Sequence, residues 1–255
     1  MCRLFGLIAN KSVDIKFSML EAYNSFKTQS KKNPDGWGIG YFEKNRPVVK
    51  KSGQEAFYSE EFNELSKEIR SDIVIAHVRY STNDDSPNSS KNSHPFLYNS
   101  WIFAHNGTIN KKRIIQLLRE PYNENFTSDK IDSEIYFRFI MQNIDSSNNI
   151  KEAIKKTIYE INKDATGANF LMTDGNILYA CRVGKPLHYL IRNPKEPFSG
   201  LGVETKTLYE SKRLSSERAV IISTEKITND ENWIEIEDMT LLTITKNLDI
   251  AEVKL

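Results

Sequence analysis

Two helical stretches, 129–143 and 149–163, lie back to back in the middle of this 255-residue chain, with runs of short apolar strands before and after them. That grouping constrains the fold more than any other feature. Strands that follow one another directly pair antiparallel, and helices gathered in a block cover a sheet face. The expected class is α+β, a layered sandwich with antiparallel sheets, in one domain spanning 1–255. There is no internal repeat and no low-complexity linker to divide it.

The strands announce themselves by β-branched and aromatic runs. Residues 1–9 read as a buried strand, and 33–42 as a turn running into a strand with a hairpin partner at 47–51. Further strands are expected at 73–80, 101–105, 168–173, 177–182, 187–192, 219–224, 233–236 and 240–254. Asp174-Gly175-Asn176 and Lys246-Asn247-Leu248 are hairpin turns. Phe17, Leu20, Tyr23 and Phe26 form a helical stripe over 16–30, and Phe62, Leu65 and Ile69 another over 59–69. The polar stretch 81–95 is long for a connection, and such loops are often lids.

Charge excludes several partners. The chain has 35 Lys and Arg against 34 Asp and Glu, a net +1. No basic excess argues for nucleic acid. Apolar runs such as Ile73–Ala76 are too short to span a membrane, and no secretory leader is evident. Two cysteines, Cys2 and Cys181, point to a reducing, cytoplasmic compartment rather than a disulfide framework. Cys181 in Leu178-Tyr179-Ala180-Cys181 reads as a core strand residue.

Cys2 has a second reading. Behind a removable Met1, its thiol and α-amine would sit on one carbon, giving a nucleophile with its own base, since an α-amine titrates near ~8. The bland alternative is a buried cysteine at a strand start. An attacking thiolate needs oxyanion donors, a substrate grip and a lid. His105-Asn106-Gly107 follows a strand, and the Asn106 amide with the Gly107 N–H can face one oxygen; Asn-Gly is also an ordinary turn. Alternation puts His77, Arg79 and Ser81 on one strand face, where Arg79 can hold a carboxylate by two parallel bonds and Thr82 can add a hydroxyl. A structural ion pair explains Arg79 as well. Asp132 opens a helix and can accept from an ammonium, although the helix dipole alone favours an acid there. Together the pieces fit an α-amino acid bearing a side-chain amide: glutamine or another γ-glutamyl compound.

In its motifs Met1-Cys2, Asp35-Gly36-Trp37-Gly38, His77-Val78-Arg79-Tyr80-Ser81-Thr82, His105-Asn106-Gly107 and Asp132-Ser133-Glu134, the chain resembles the class II (N-terminal nucleophile) glutamine amidotransferases. The motifs occur in the family's order. The resemblance implies a four-layer αββα sandwich of two antiparallel sheets, Cys2 as nucleophile with its α-amine as base, Asn106 and Gly107 as oxyanion donors, and Arg79 and Asp132 as glutamine ligands. It implies a glutamine loop over 80–93. It calls for no cofactor and no metal. Asn33–Phe42, His94-Pro95-Phe96, Ile222–Glu225 and Glu231-Asn232-Trp233 are similar to small stand-alone members, which include γ-glutamyl hydrolases. The expected chemistry is a γ-glutamyl thioester hydrolysed to glutamate, with release of ammonia or an amine. The alternatives are an ammonia-supplying subunit with a synthetase partner, and a non-catalytic γ-glutamyl sensor. A zinc site built from His77, His94 and His105 is a further rival. Trp37, Tyr80 and Tyr98 are candidates for lining the leaving-group side.

Overall fold

The computed structural model describes residues 2–81, 88–124, 130–192, 199–201, 208–210 and 218–255. Strands β1 (Arg3–Asp14), β2 (Trp37–Glu43), β3 (Arg46–Ser52), β4 (Arg70–Val78), β5 (Phe96–Tyr98), β6 (Trp101–Gly107), β7 (Ala168–Thr173) and β8 (Ile177–Arg182) are followed by β9 (His188–Arg192), β10 (Ser199–Leu201), β11 (Leu208–Glu210), β12 (Ala219–Ser223), β13 (Ile234–Glu235), β14 (Thr240–Thr245) and β15 (Ile250–Lys254). The helices are α1 (Phe26–Ser30), α2 (Glu60–Glu68), α3 (Lys111–Ile115), α4 (Asp132–Asp145) and α5 (Ile150–Ile161).

The strands form two large sheets, one ordered β13-β9-β12-β1-β4-β2-β3 and the other β15-β14-β8-β7-β6-β5. The pairings among them are antiparallel. Residues Leu4 to Ala9 of β1 are buried without a break, because both faces of the sheet are covered. Leu4, Ile8, Ile73, Ile75 and Ile222 of the first sheet meet Ile102, Ala104, Leu171, Leu178 and Leu242 of the second in the inter-sheet core. The alternate residues point outward. Phe5, Leu7, Val74 and Ala76 pack beneath Phe26 and Phe62, while Phe103, Phe170 and Met172 pack beneath Ile135, Tyr136, Ile154 and Ile158 of α4 and α5. The result is the α+β, helix–sheet–sheet–helix sandwich of two antiparallel sheets. Cys181 is fully buried in the second helix-facing core.

Local chemistry adjusts the expected elements. The 16–30 stripe is not one helix: a single turn at Phe17–Glu21 ends at Ala22, whose backbone is extended. The chain then restarts as α1, where the Ser25 hydroxyl caps by accepting from the Thr28 N–H. Tyr23 falls in the break and is 62% exposed. α3 is an element the hydrophobic pattern did not announce, and the Asn110 side chain caps it. β1 runs five residues past its expected end, to Asp14, with a register irregularity between Ile8 and Val13. No helix among the described residues is long and apolar enough to cross a membrane.

Candidate functional site

The site lies where the start of β1 meets the end of β4. Their antiparallel register pairs Arg3 with Val78 and Leu4 with His77. This brings Cys2 alongside the residues that follow β4. The Tyr80 N–H donates to Cys2 Sγ at 3.3 Å, and Sγ lies 3.5 Å from the Tyr80 carbonyl oxygen. The start of β1 is fixed from the other side by the segment after β12. The Leu4 N–H donates to Thr224 Oγ1 at 2.9 Å, the Thr224 N–H donates to the Leu4 carbonyl at 3.1 Å, and Arg3 pairs with Glu225. Cys2 itself is half-buried. Burial pushes its thiol above the ordinary value, opposed by the Tyr80 N–H and the Arg79 charge and reinforced by the Asp132 charge. The thiol is thus predominantly protonated near neutrality, and it feels both Arg79 and Asp132.

Arg79 is 5% exposed. Its backbone continues the β2–β4 ladder: the Arg79 N–H donates to the Gly36 carbonyl at 2.8 Å and the Asp35 N–H to the Arg79 carbonyl at 3.1 Å. Its guanidinium donates to Asn88 Oδ1 at 3.2 Å, Ser81 Oγ at 3.3 Å and the Asp35 carbonyl at 3.4 Å. The Asp35 carboxylate accepts from the Ser81 N–H at 2.7 Å and from Asn88 Nδ2 at 3.1 Å. Thr82 lies outside the described residues, as do residues 83–87.

On the second sheet, β6 carries Asn106 and Gly107 to the same end. Alternation from Ile102 and Ala104 puts Asn106 on the inter-sheet side and His105 on the helix side. Asn106 is 2% exposed, and its Nδ2 has no partner among the described residues. A buried amide donor without a partner costs about 1–3 kcal/mol, a cost that an arriving acceptor would offset. At Gly107 no side chain is tolerated, since a Cβ would lie 1.8 Å from the Gly167 carbonyl oxygen. The opposing Asn169, on β7, fixes the turn after β8: its Oδ1 accepts from the Val183 N–H at 2.7 Å and its Nδ2 donates to the Lys185 carbonyl at 2.8 Å.

Asp132 opens α4 and is already engaged. Its Oδ2 accepts from the Ile109 N–H at 2.9 Å, tying the segment after β6 to the helix start. Ser133, next to it, meets His105 Nδ1 at 2.9 Å, and His105 Nε2 lies 3.4 Å from the Gly167 carbonyl. A carbonyl can only accept, so Nε2 is the donor in the contact with Gly167.

The three-histidine zinc rival does not survive the geometry. His105 is committed to Ser133 and Gly167 on the helix side, whereas His77 and His94 pack ring against ring at 4.2 Å. Among the described residues no group of His, Cys, Asp and Glu is arranged to hold a metal. His77 and His94 are 0% and 4% exposed, and none of their ring nitrogens has a partner among the described residues. Burial keeps them neutral, pushing His77 down to about 3 and His94 well below its usual value. The backbone crowds around them, and a Cβ on Gly38 would lie 2.1 Å from the His94 carbonyl oxygen.

The structure corrects the leaving-group lining. Trp37 is fully buried in the first helix-facing core, 5.3 Å from the Phe62 ring. Tyr98 packs against Tyr122 and Phe137 with the Arg138 guanidinium 4.0 Å over its ring. Tyr80, beside Cys2, is 43% exposed. Glu231 and Trp233, in the late motif, serve the frame: Glu231 pairs with Arg192 through two bonds of 2.7 and 2.8 Å, and Trp233 Nε1 donates to Thr228. Asp35 and Asn88 are the partners the sequence did not single out.

Comparison with known proteins shows what the chain is similar to. A Methanocaldococcus jannaschii protein is 31% identical over 261 residues, covering 95% of this chain and 68% of that one. The gamma-glutamyl-hercynylcysteine sulfoxide hydrolase of Mycobacterium tuberculosis is 23% identical, covering 84% of this chain and 76% of the relative. The glutamine phosphoribosylpyrophosphate amidotransferase of B. subtilis shares the fold with a TM-score of 0.68 at 19% identity, over 99% of this chain and 49% of that one. The family model described as "Glutamine amidotransferases class-II" matches residues 1–252. The chain is therefore an enzyme, and it belongs to the class II glutamine amidotransferases.

Proposed function

We propose that this protein is an N-terminal-cysteine amidohydrolase, folded as one domain over 1–255, that acts on glutamine or a γ-glutamyl amide. In this reading removal of Met1 frees the Cys2 α-amine, which takes the thiol proton directly or through water. The thiolate attacks the γ-carbonyl carbon and the carbonyl electron pair moves to oxygen. Asn106 Nδ2 and the Gly107 N–H stabilise that oxyanion. As it collapses, the C–N bond breaks and the nitrogen leaves with the proton as ammonia or an amine. A γ-glutamyl thioester remains, and water, deprotonated by the same amine, hydrolyses it to glutamate. Arg79 holds the substrate α-carboxylate, Asp132 its ammonium, and Thr82 adds a hydroxyl.

The observation that carries the reading is the buried Asn106 Nδ2, a donor without a partner among the described residues. An open buried donor of this kind is available to an oxygen that arrives with a ligand. The thiol held by the Tyr80 N–H, with Arg79 and Asp132 both acting on it, supports the same arrangement. A hydrolytic end to the reaction is favoured by the name of the M. tuberculosis relative. The second reading, an ammonia-supplying subunit with a synthetase partner, draws on the B. subtilis neighbour, only 49% of which this chain covers.

Glutamate release by the purified protein alone, from glutamine and from a panel of γ-glutamyl amides, tests both readings. Cys2→Ala should abolish turnover. Turnover retained by Cys2→Ala contradicts the mechanism, and release that appears only when a partner protein is added moves the assignment to the second reading.

A further inference from the structure

Arg79 does not hold its position by itself. Its guanidinium is met by an oxygen of Asn88, a hydroxyl of Ser81 and the carbonyl of Asp35. Two of those neighbours are in turn held by the Asp35 carboxylate, which accepts from the Ser81 N–H and from Asn88 Nδ2. The backbones of Asp35 and Arg79 are bonded as well, through the Asp35 N–H and the Arg79 carbonyl. Asp35 is thus the common point of a small network around the guanidinium.

The chemistry of this network has a direction. A carboxylate can only accept, so Asp35 compels Asn88 to turn its NH2 toward Asp35 and therefore its Oδ1 toward Arg79. A carboxamide at position 35 would break this polarity. Its oxygen would be claimed by the Ser81 N–H, its NH2 would face Asn88, and Asn88 would have to reverse. Donor would then meet donor at the guanidinium.

We propose that Asp35 is a positioning residue for substrate binding: acting through Asn88 and through its own carbonyl, it sets the orientation in which Arg79 presents its guanidinium to the substrate carboxylate. This rests on Arg79 as the carboxylate ligand. A bidentate grip depends on the plane of the guanidinium, so losing the orientation weakens binding without touching the thiol chemistry.

The test is steady-state kinetics on glutamine, or on the amide turned over best, with Asp35→Asn, Asn88→Ala, Arg79→Lys and the double variant Asp35→Asn/Arg79→Lys. Asp35→Asn should raise KM about tenfold with kcat within about twofold. Asn88→Ala should raise KM about threefold, because the direct contact from the Asp35 carbonyl remains. The double variant should bind no worse than Arg79→Lys, since both changes act on one grip. If Arg79→Lys leaves KM unchanged, the carboxylate-binding role of Arg79 fails and takes this proposal with it. If Arg79→Lys raises KM but Asp35→Asn does not, or the two effects multiply, the positioning role alone is overturned. A parallel fall in kcat and thermal midpoint in Asp35→Asn would mark a structural role. Should Asp35→Asn fail to fold, Asn88→Ala decides, and an unchanged KM there overturns the proposal.

Discussion

The backbone N–H of Tyr80 donates to Cys2 Sγ at 3.3 Å, across 78 residues of sequence. That bond makes the thiol and the β4 end one unit, because Tyr80 follows directly on Arg79. In the proposed mechanism the group that binds substrate and the group that attacks it thereby sit at the ends of two adjacent strands of one sheet. The proposed donors for the developing charge, Asn106 and Gly107, lie on the facing sheet. Assembly of the site therefore depends on the inter-sheet core as much as on any local motif.

The Asn106 amide offers the sharpest separation of stability from activity. Its buried Nδ2 has no partner among the described residues to lose, so Asn106→Ala should leave the thermal midpoint unchanged or slightly raised. The same variant should lower kcat about 10²–10³-fold, the usual effect of removing one oxyanion donor. Calorimetry and kinetics on one preparation check both. A large loss of stability with kcat intact would mean the donor serves the fold.

Much of this was legible in the sequence, and the parts that were not have a common cause. Strand positions, the order of motifs and the inward face of β4 follow from residue type and alternation. The 16–30 stripe misled because Ser25 caps a new helix inside it, a side-chain bond that hydrophobic spacing does not register. Trp37 is a candidate for the leaving-group side in the sequence, yet alternation along β2 sends it into the core beside Phe62. Asp35 and Asn88 were invisible as partners because they meet only once β2 and β4 are paired, 53 residues apart in sequence. The bond between Cys2 and Tyr80 likewise needs the register of β1 against β4.

The pH profile discriminates between bases. An α-amine with a pKa near ~8 must lose its proton before it can accept one from the thiol. kcat/KM should rise with pH and level off with an apparent pKa of about 7–8. The Cys2 thiol is raised by burial, so a mechanism that needed it ionised beforehand would place the rise above ~8.5. A midpoint there would argue against the amine as base.

Acid should unfold the protein through its buried imidazoles. In the folded state His77 is pushed down to about 3, and His94 and His105 are lowered too, in each case first by burial. Unfolded histidines titrate near ~6.5. Between those limits the unfolded chain binds more protons, so stability is full above about pH 6.5 and falls on acidification. The slope is about 1.4 kcal/mol per pH unit for each proton taken up. Denaturant midpoints measured from pH 7 to pH 4 should fall steadily, and His94→Phe should flatten the curve. A pH-independent midpoint over that range would show that the imidazoles accept protons while folded.

The central claim is that Cys2, with its α-amine free, is the nucleophile. A diazoketone analogue of glutamine, incubated with the protein and followed by intact-mass and peptide mapping, tests it most directly. The account predicts a single adduct on the Cys2 thiol, on a chain that has lost Met1, with loss of turnover in proportion to labelling. An adduct at any other residue, or full turnover by protein that retains Met1, would contradict it.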